Sequence, residues 1–268
     1  MDNILNEIIE KYKAFPQVRA IALGGSGTAG TSDKASDIDV YVFTEKDIPV
    51  EDRLNIVKNL SSKYEVGGEY FGAGDEYFVD ELGTQLDVMF WNVKWFEEVV
   101  ENVWVKNYPC NGYSTCFLYT LDICKIIYDK DDFLKKLKEK IRTEYPKELQ
   151  TNIINRNLML MKKKPFASYY EQIEKALKRN DKVSVNHRIT AFLASYFDVI
   201  FALNKLLHPG EKRLVTYAKE NCKILPKDFE ENIEKLLAQP NENTLPLLDE
   251  IFANAEDIVK RYSDAKSN

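Results

Sequence analysis

The sequence predicts an α+β chain: a small mixed β-sheet domain followed by a C-terminal α-helical bundle. Three observations carry this. Short apolar runs rich in β-branched and aromatic residues, separated by glycines, are confined to the first third of the chain. From Phe133 onward the apolar residues recur at helical spacing, punctuated by Pro, Asn and Gly. Charge divides in the same place: residues 1–130 hold 22 acids and 12 bases, whereas residues 131–268 hold 21 acids and 25 bases. Tyr128-Asp129-Lys130-Asp131-Asp132 marks a turn between the two patterns, and the boundary is set there, giving domains 1–130 and 131–268.

In chain order, Ile4 to Phe15 has helical periodicity and stops at Pro16. Val18 to Leu23 reads as a strand that runs into glycines, and Ile38 to Phe43 as a second strand. Pro49 to Tyr64 opens Pro-Val-Glu-Asp, with acids placed in a first helical turn. Glu65 to Asp80 is aromatic and glycine-containing and predicts further strand. Glu81-Leu82-Gly83-Thr84 then turns the chain into the run Thr84 to Trp91. Trp95 to Val103 and Thr115 to Ile127 read as helices. In the second half, helical spacing covers Phe133–Tyr145, 146–162, Ala167–Lys178, 182–206, 213–222, 227–237 and 244–262.

The residues that carry chemistry cluster early. Gly24-Gly25-Ser26-Gly27-Thr28-Ala29-Gly30 follows the first strand, and its glycines allow a turn whose backbone N–H groups face an anion. Asp37 and Asp39 then sit two apart at the mouth of the next strand. A strand points residues i and i+2 to one face, with Cα atoms roughly 6.6–7 Å apart. Both carboxylates can then reach one divalent cation together with phosphate oxygens. Asp87 is the one charge in the later run Thr84 to Trp91, and a carboxylate in a buried strand calls for a cation nearby. A Gly-Gly-Ser turn alone is ordinary loop chemistry, and an Asp-x-Asp alone can cap a turn. Order, spacing and strand context together make the pattern specific.

With these residues in place the chain resembles the DNA polymerase beta-like nucleotidyltransferase superfamily, whose signature is a Gly-Gly-Ser turn, a short helix and Asp-x-Asp on the next strand. The resemblance implies that Gly25 and Ser26 hold nucleotide phosphates and that Asp37, Asp39 and Asp87 hold Mg²⁺. Asp87 would be ligand, general base or both. Carboxylates about 4 Å apart repel by about 4 kcal/mol at an effective dielectric of 20, which bound metal relieves. The arginine that often follows the Gly-Ser in relatives is absent here, so a phosphate-binding cation is looked for in Lys34 or in Lys212 and Arg213. Glu69, Asp75, Glu76 and Asp80 are reserve candidates for acceptor binding or base.

Gly112-Tyr113-Ser114-Thr115-Cys116-Phe117, Asn186-His187-Arg188 and Phe201-Ala202-Leu203-Asn204 with His208-Pro209-Gly210-Glu211-Lys212-Arg213 look like a bacterial family of uncharacterised nucleotidyltransferase-domain proteins. His187 is read as a packing residue rather than a catalyst. The two-part architecture is also similar to aminoglycoside and lincosamide nucleotidyltransferases, whose helices wall the acceptor pocket. This implies transfer of a nucleoside monophosphate from an NTP, with ATP expected, to a hydroxyl of a small antibiotic-like acceptor, releasing pyrophosphate. The alternative is an antitoxin-type regulator that binds or modifies a protein partner; minimal antitoxins lack a bundle of this size.

Composition narrows the field. A pI near 5.3 argues against a large nucleic-acid footprint. The amino terminus is acidic and amphipathic rather than signal-like, and no apolar run approaches the ~20 residues of a membrane span, so the expectation is a cytoplasmic protein without a membrane partner. Cys110, Cys116, Cys124 and Cys222 lack the paired spacing of a zinc site. Two histidines make a histidine-rich metal centre a poor fit.

Overall fold

The computed structural model describes residues 3–24, 37–70, 72–163, 166–238, 241 and 243–264. Contacts divide the chain into two compact units: residues 1–101 with 120–143, and residues 102–119 with 144–268. These divisions fall elsewhere than the 1–130 and 131–268 drawn from the sequence.

The first unit begins with helix α1 (Asn3–Lys13) and contains strands β1 (Val18–Leu23) and β2 (Ile38–Thr44), helix α2 (Val50–Val57), strands β3 (Tyr64–Gly68), β4 (Gly74–Val79) and β5 (Thr84–Asn92), and helix α3 (Val93–Val100). Helix α4 (Cys116–Ile123) carries residues of both units. Strand β6 (Lys125–Asp129) and helix α5 (Phe133–Ile141) complete the first. The six strands form one mixed sheet in the order β3-β4-β5-β2-β1-β6. Every neighbouring pair is antiparallel except β2 and β5, which run parallel.

β6 corrects the sequence reading, which carried a helix to Ile127. Lys125–Asp129 is β-branched and aromatic, and it ladders onto β1 at the sheet edge. Pairing across more than a hundred residues of chain decides its state, and local spacing does not report it.

The two faces of the sheet differ. Val40, Val42, Leu86, Val88, Tyr77, Val79, Ile21 and Leu23 form one buried cluster with Leu5, Ile8, Ile9 and Tyr12 of α1 and with Ile56 and Val57 of α2. On the other face, Tyr41 stacks on Trp91 with ring centroids 4.6 Å apart, and Trp91 stacks on Phe96 of α3 at 5.2 Å. Phe43 meets Phe96 and Phe133 edge-on. Helices therefore cover that face around residues 41–43 and 89–91.

The second unit is helical: α6 (Lys147–Leu158), α7 (Tyr169–Lys178), α8 (Lys182–Leu203), α9 (Leu214–Asn221), α10 (Phe229–Leu237) and α11 (Thr244–Asp264). The aromatic stripe of α8 forms much of its core: Phe192, Tyr196, Phe197 and Phe201 are buried. Asp181 and Ser168 cap α8 and α7 by accepting from Ser184 N–H and Glu171 N–H, as short polar N-caps do.

Candidate functional site

Asp39 and Asp87 pair on one rung of the parallel β2–β5 ladder. Glu76 of β4 pairs with Asp87 on the other side, and Glu65 of β3 pairs with Glu76. Because side chains on a rung share a face, four carboxylates stand in one row across four adjacent strands, with spacings of about 4.8 Å. All four line one pocket of about 380 Å³, whose other walls include Gly68, Tyr70, Gly72, Gly74 and Met89. Tyr70 is almost fully exposed there.

Gln85, two residues before Asp87 and so on the same face, donates from Nε2 to Asp87 Oδ1 at 2.7 Å. Sequence reading passed over Gln85; its i, i+2 relation to Asp87 was the available signal. Like charges directly opposite one another on a rung destabilise a sheet. Among the described residues no three His, Cys, Asp or Glu side chains gather about one point as a metal-holding group, so the expected triad of Asp37, Asp39 and Asp87 is not assembled as three. Asp37 lies exposed in the coil ahead of β2. Asp39 and Asp87 are the two that come together. As a donor set, carboxylate oxygens alone suit a hard, oxygen-seeking cation such as Mg²⁺.

Asp75 shows what this row is not. It precedes Glu76 in β4, faces the α1 and α2 side, and is buried at 1 % exposure. Its Oδ1 accepts from Arg53 Nη1 at 2.5 Å and from Gly67 N–H at 2.8 Å. Arg53 also donates from Nε to the Ile48 carbonyl and lies 4.5 Å over the Phe90 ring. Burial raises the Asp75 carboxyl, against the lowering effects of the Gly67 N–H and Arg53. Asp75 is thus a structural anchor under the row, not the acceptor-binding acid held in reserve. Asp80 likewise serves structure: its carboxylate accepts from Ser62 N–H and Ser62 Oγ.

At the head of β2, Gly24 N–H donates to the Asp39 carbonyl at 2.9 Å, extending the β1–β2 ladder to the rung of the acids. A Cβ on Gly24 would meet Tyr41 Cε2 at 2.3 Å, so only glycine lets the tyrosine ring lie there. Gly25, Ser26 and Lys34 lie outside the described residues.

In the second unit, Lys212 is exposed and Arg213, with φ 54°, caps the start of α9. His187 is exposed on α8, which corrects its reading as a packing residue. The buried histidine is His208. Its backbone N–H donates to Thr115 Oγ1 at 2.8 Å, its Nδ1 accepts from Gly210 N–H, and its ring packs on Tyr113 and Phe201. Burial lowers its imidazole to about 4. Beside this loop, buried Asp198 accepts from Ser114 N–H at 3.1 Å, Ser114 Oγ at 2.6 Å and Asn157 Nδ2 at 2.9 Å, and burial raises it to about 6. Asn157 Oδ1 accepts from Gly112 N–H. The Gly112–Thr115 motif is therefore a loop held by Asn157 of α6, Asp198 of α8 and the His208 backbone N–H.

The polymerase beta nucleotidyltransferase family matches residues 6–95, which contain the whole carboxylate row. A domain of unknown function, DUF4037, matches residues 114–214, which contain Ser114, Asn157, Asp198 and His208. No curated protein matches the chain. Among solved structures the chain is similar to a nucleotidyltransferase-like protein from Exiguobacterium sibiricum 255-15, with 12% identity and a TM-score of 0.46 over 96% of this chain and 73% of that one. It is also similar to the spectinomycin adenyltransferase AAD(9) from Enterococcus faecialis, solved with ATP and spectinomycin, with 12% identity and a TM-score of 0.32 over 95% of this chain and 97% of that one. No helix among the described residues is long and apolar enough to cross a membrane. Residues 6–95 are thus a polymerase beta-type nucleotidyltransferase domain, carried in one chain with a DUF4037 domain at 114–214.

Proposed function

We propose that the protein is a Mg²⁺-dependent nucleotidyltransferase that moves a nucleoside monophosphate from an NTP, ATP being the expected donor, to a hydroxyl of a small-molecule acceptor and releases pyrophosphate. The observation that carries this reading is the shared rung of Asp39 and Asp87, lining one pocket of a sheet whose residues match the polymerase beta family. Asp39 and Asp87 would hold the cation, with Asp37 beside them on the chain. Bound there, Mg²⁺ supplies positive charge against the phosphate oxygens and the carboxylates. Gly25 and Ser26, which follow β1, would donate to the phosphates.

The protein's own share of the work is positioning. The β2–β5 ladder fixes the two aspartates, Gln85 fixes the rotation of the Asp87 carboxylate, and the aromatic stack of Tyr41, Trp91 and Phe96 stiffens the sheet behind them. A pocket of about 380 Å³ falls in the range of small-molecule clefts, which supports a small acceptor. The test is pyrophosphate release from ATP in the presence of Mg²⁺ across a panel of hydroxyl-bearing small molecules, including antibiotics. The expected result is acceptor-dependent release that stops on adding a chelator. Release stimulated only by a protein target would replace the small-molecule reading.

A further inference from the structure

We infer that one water molecule is bound inside the first unit, on the α1 and α2 side of the sheet, held by Asp75 Oδ2, Tyr12 Oη and Tyr77 Oη. Each of these three oxygens is buried, and among the described residues no atom is placed to hydrogen-bond to it. Several contacts bring the three to one place. Asp75 and Tyr77 lie two apart in β4 and so project from one face. Arg53 donates to Asp75 Oδ1 at 2.5 Å and lies 4.5 Å over the Phe90 ring. Tyr12 of α1 meets that same ring edge-on, with centroids 5.9 Å apart. The two phenols and the Asp75 carboxylate are near enough to act on one another electrostatically. Burial raises both phenols above their ordinary range, so each keeps an O–H to donate.

A polar atom left unpaired in the interior bears its full desolvation cost, and three at one point would consume much of a domain's marginal stability. A water answers all three. It accepts from the Tyr12 and Tyr77 hydroxyls and donates to Asp75 Oδ2, and three bonds is the usual number for a buried water. A cation fits less well, because Arg53 already balances Asp75 and a further positive charge would be buried without a counter-charge. Bound there, the water ties α1 to β4 directly behind Glu76, which stands between Asp75 and Tyr77 in the strand and faces the carboxylate row. The strand that carries one acid of the pocket is thereby fixed from the opposite face.

A high-resolution crystal structure of the wild-type protein should show density at about 2.5–3.0 Å from all three oxygens. Tyr12→Phe and Tyr77→Phe each remove one donor while keeping the ring. With the water bound, each change loses a hydrogen bond made in the folded state and should lower the melting temperature by roughly 2–4 °C. Without it, each change deletes an unpaired buried hydroxyl and should raise the melting temperature, which would overturn the inference. Direct bonding of the three oxygens to one another, with no density between them, would overturn it as well. So would a wild-type melting temperature that changes when Na⁺ is exchanged for K⁺ at equal ionic strength while the double Tyr→Phe variant does not respond, the mark of a bound cation.

Discussion

Asp39 and Asp87 stand on one rung of the ladder between β2 and β5, the one parallel pair in the sheet. Their carboxylates project from the same face, one strand spacing apart, and like charges directly opposite destabilise a sheet unless a cation lies between them. Asp39→Asn keeps the volume and removes one charge. It should leave the melting temperature near that of the wild type and weaken Mn²⁺ and MgATP binding by at least ~tenfold, about 1.4 kcal/mol. Calorimetry showing unchanged MgATP affinity would move the site away from this rung.

Asp75 and Arg53 form a buried pair beneath the row. Removing one partner leaves the other charge stranded, so Asp75→Asn should cost about 3–5 kcal/mol in a urea titration. The double change Arg53→Met, Asp75→Leu should cost less than the sum of the two single changes, because it strands neither charge. Strictly additive losses would mean that the two side chains do not depend on each other.

Gly24→Ala places a methyl against the Tyr41 ring, which cannot swing clear without leaving its stack on Trp91. The expected loss is roughly 1–3 kcal/mol, typical of overpacking. Tyr41→Ala in the same chain should make the further Gly24→Ala change nearly neutral. An equal cost in both backgrounds would place the strain in the backbone of the turn instead.

Asp198 and His208 give opposite pH slopes in the helical unit, each shifted by its own burial. An ordinary aspartate titrates near 3.9 and a histidine near 6.5. Asp198 is raised to about 6, so its contribution to stability is present below about pH 4 and is lost as pH rises through 6. His208 is lowered to about 4, so its contribution is present above about 6.5 and is lost as pH falls through 4. Between pH 4 and 6 the two slopes oppose. Denaturation midpoints across that range should fall more steeply on acidification in Asp198→Asn than in the wild type, and should rise on acidification, relative to wild type, in His208→Gln. Three superimposable profiles would show that neither group titrates as its burial requires.

The sequence makes part of this site legible and hides the rest for a physical reason. Asp39 and Asp87 announce themselves, since a charge in an apolar strand is conspicuous and strand periodicity says which way it points. Glu76 stands out less: it looks like one acid among Glu69, Asp75, Glu76 and Asp80, and only the β4–β5 register separates it from Asp75, one residue and one face away. Asp198 and Asn157 sit inside helical spacing like ordinary polar positions, because their partners at Gly112 and Ser114 lie 45 and 84 residues off. Lys125 to Ile127 reads as the end of a helix on the same account, although it is strand. Local patterns report what a segment buries, whereas register and long-range hydrogen bonds depend on what it meets.

The parallel rung also sets an order of events in the life of the chain. Asp39 emerges from synthesis early, but the strand that brings Asp87 alongside it comes only after the β3–β4 hairpin, and its pairing is non-local, the slow kind to form. On the proposed reading, a nascent or truncated chain ending before β5 would hold one half of the cation site and none of the transfer activity. Acquisition of metal affinity would then be a timestamp for completion of the sheet, readable during refolding, and an incompletely folded chain would be kept from the proposed action on nucleotide.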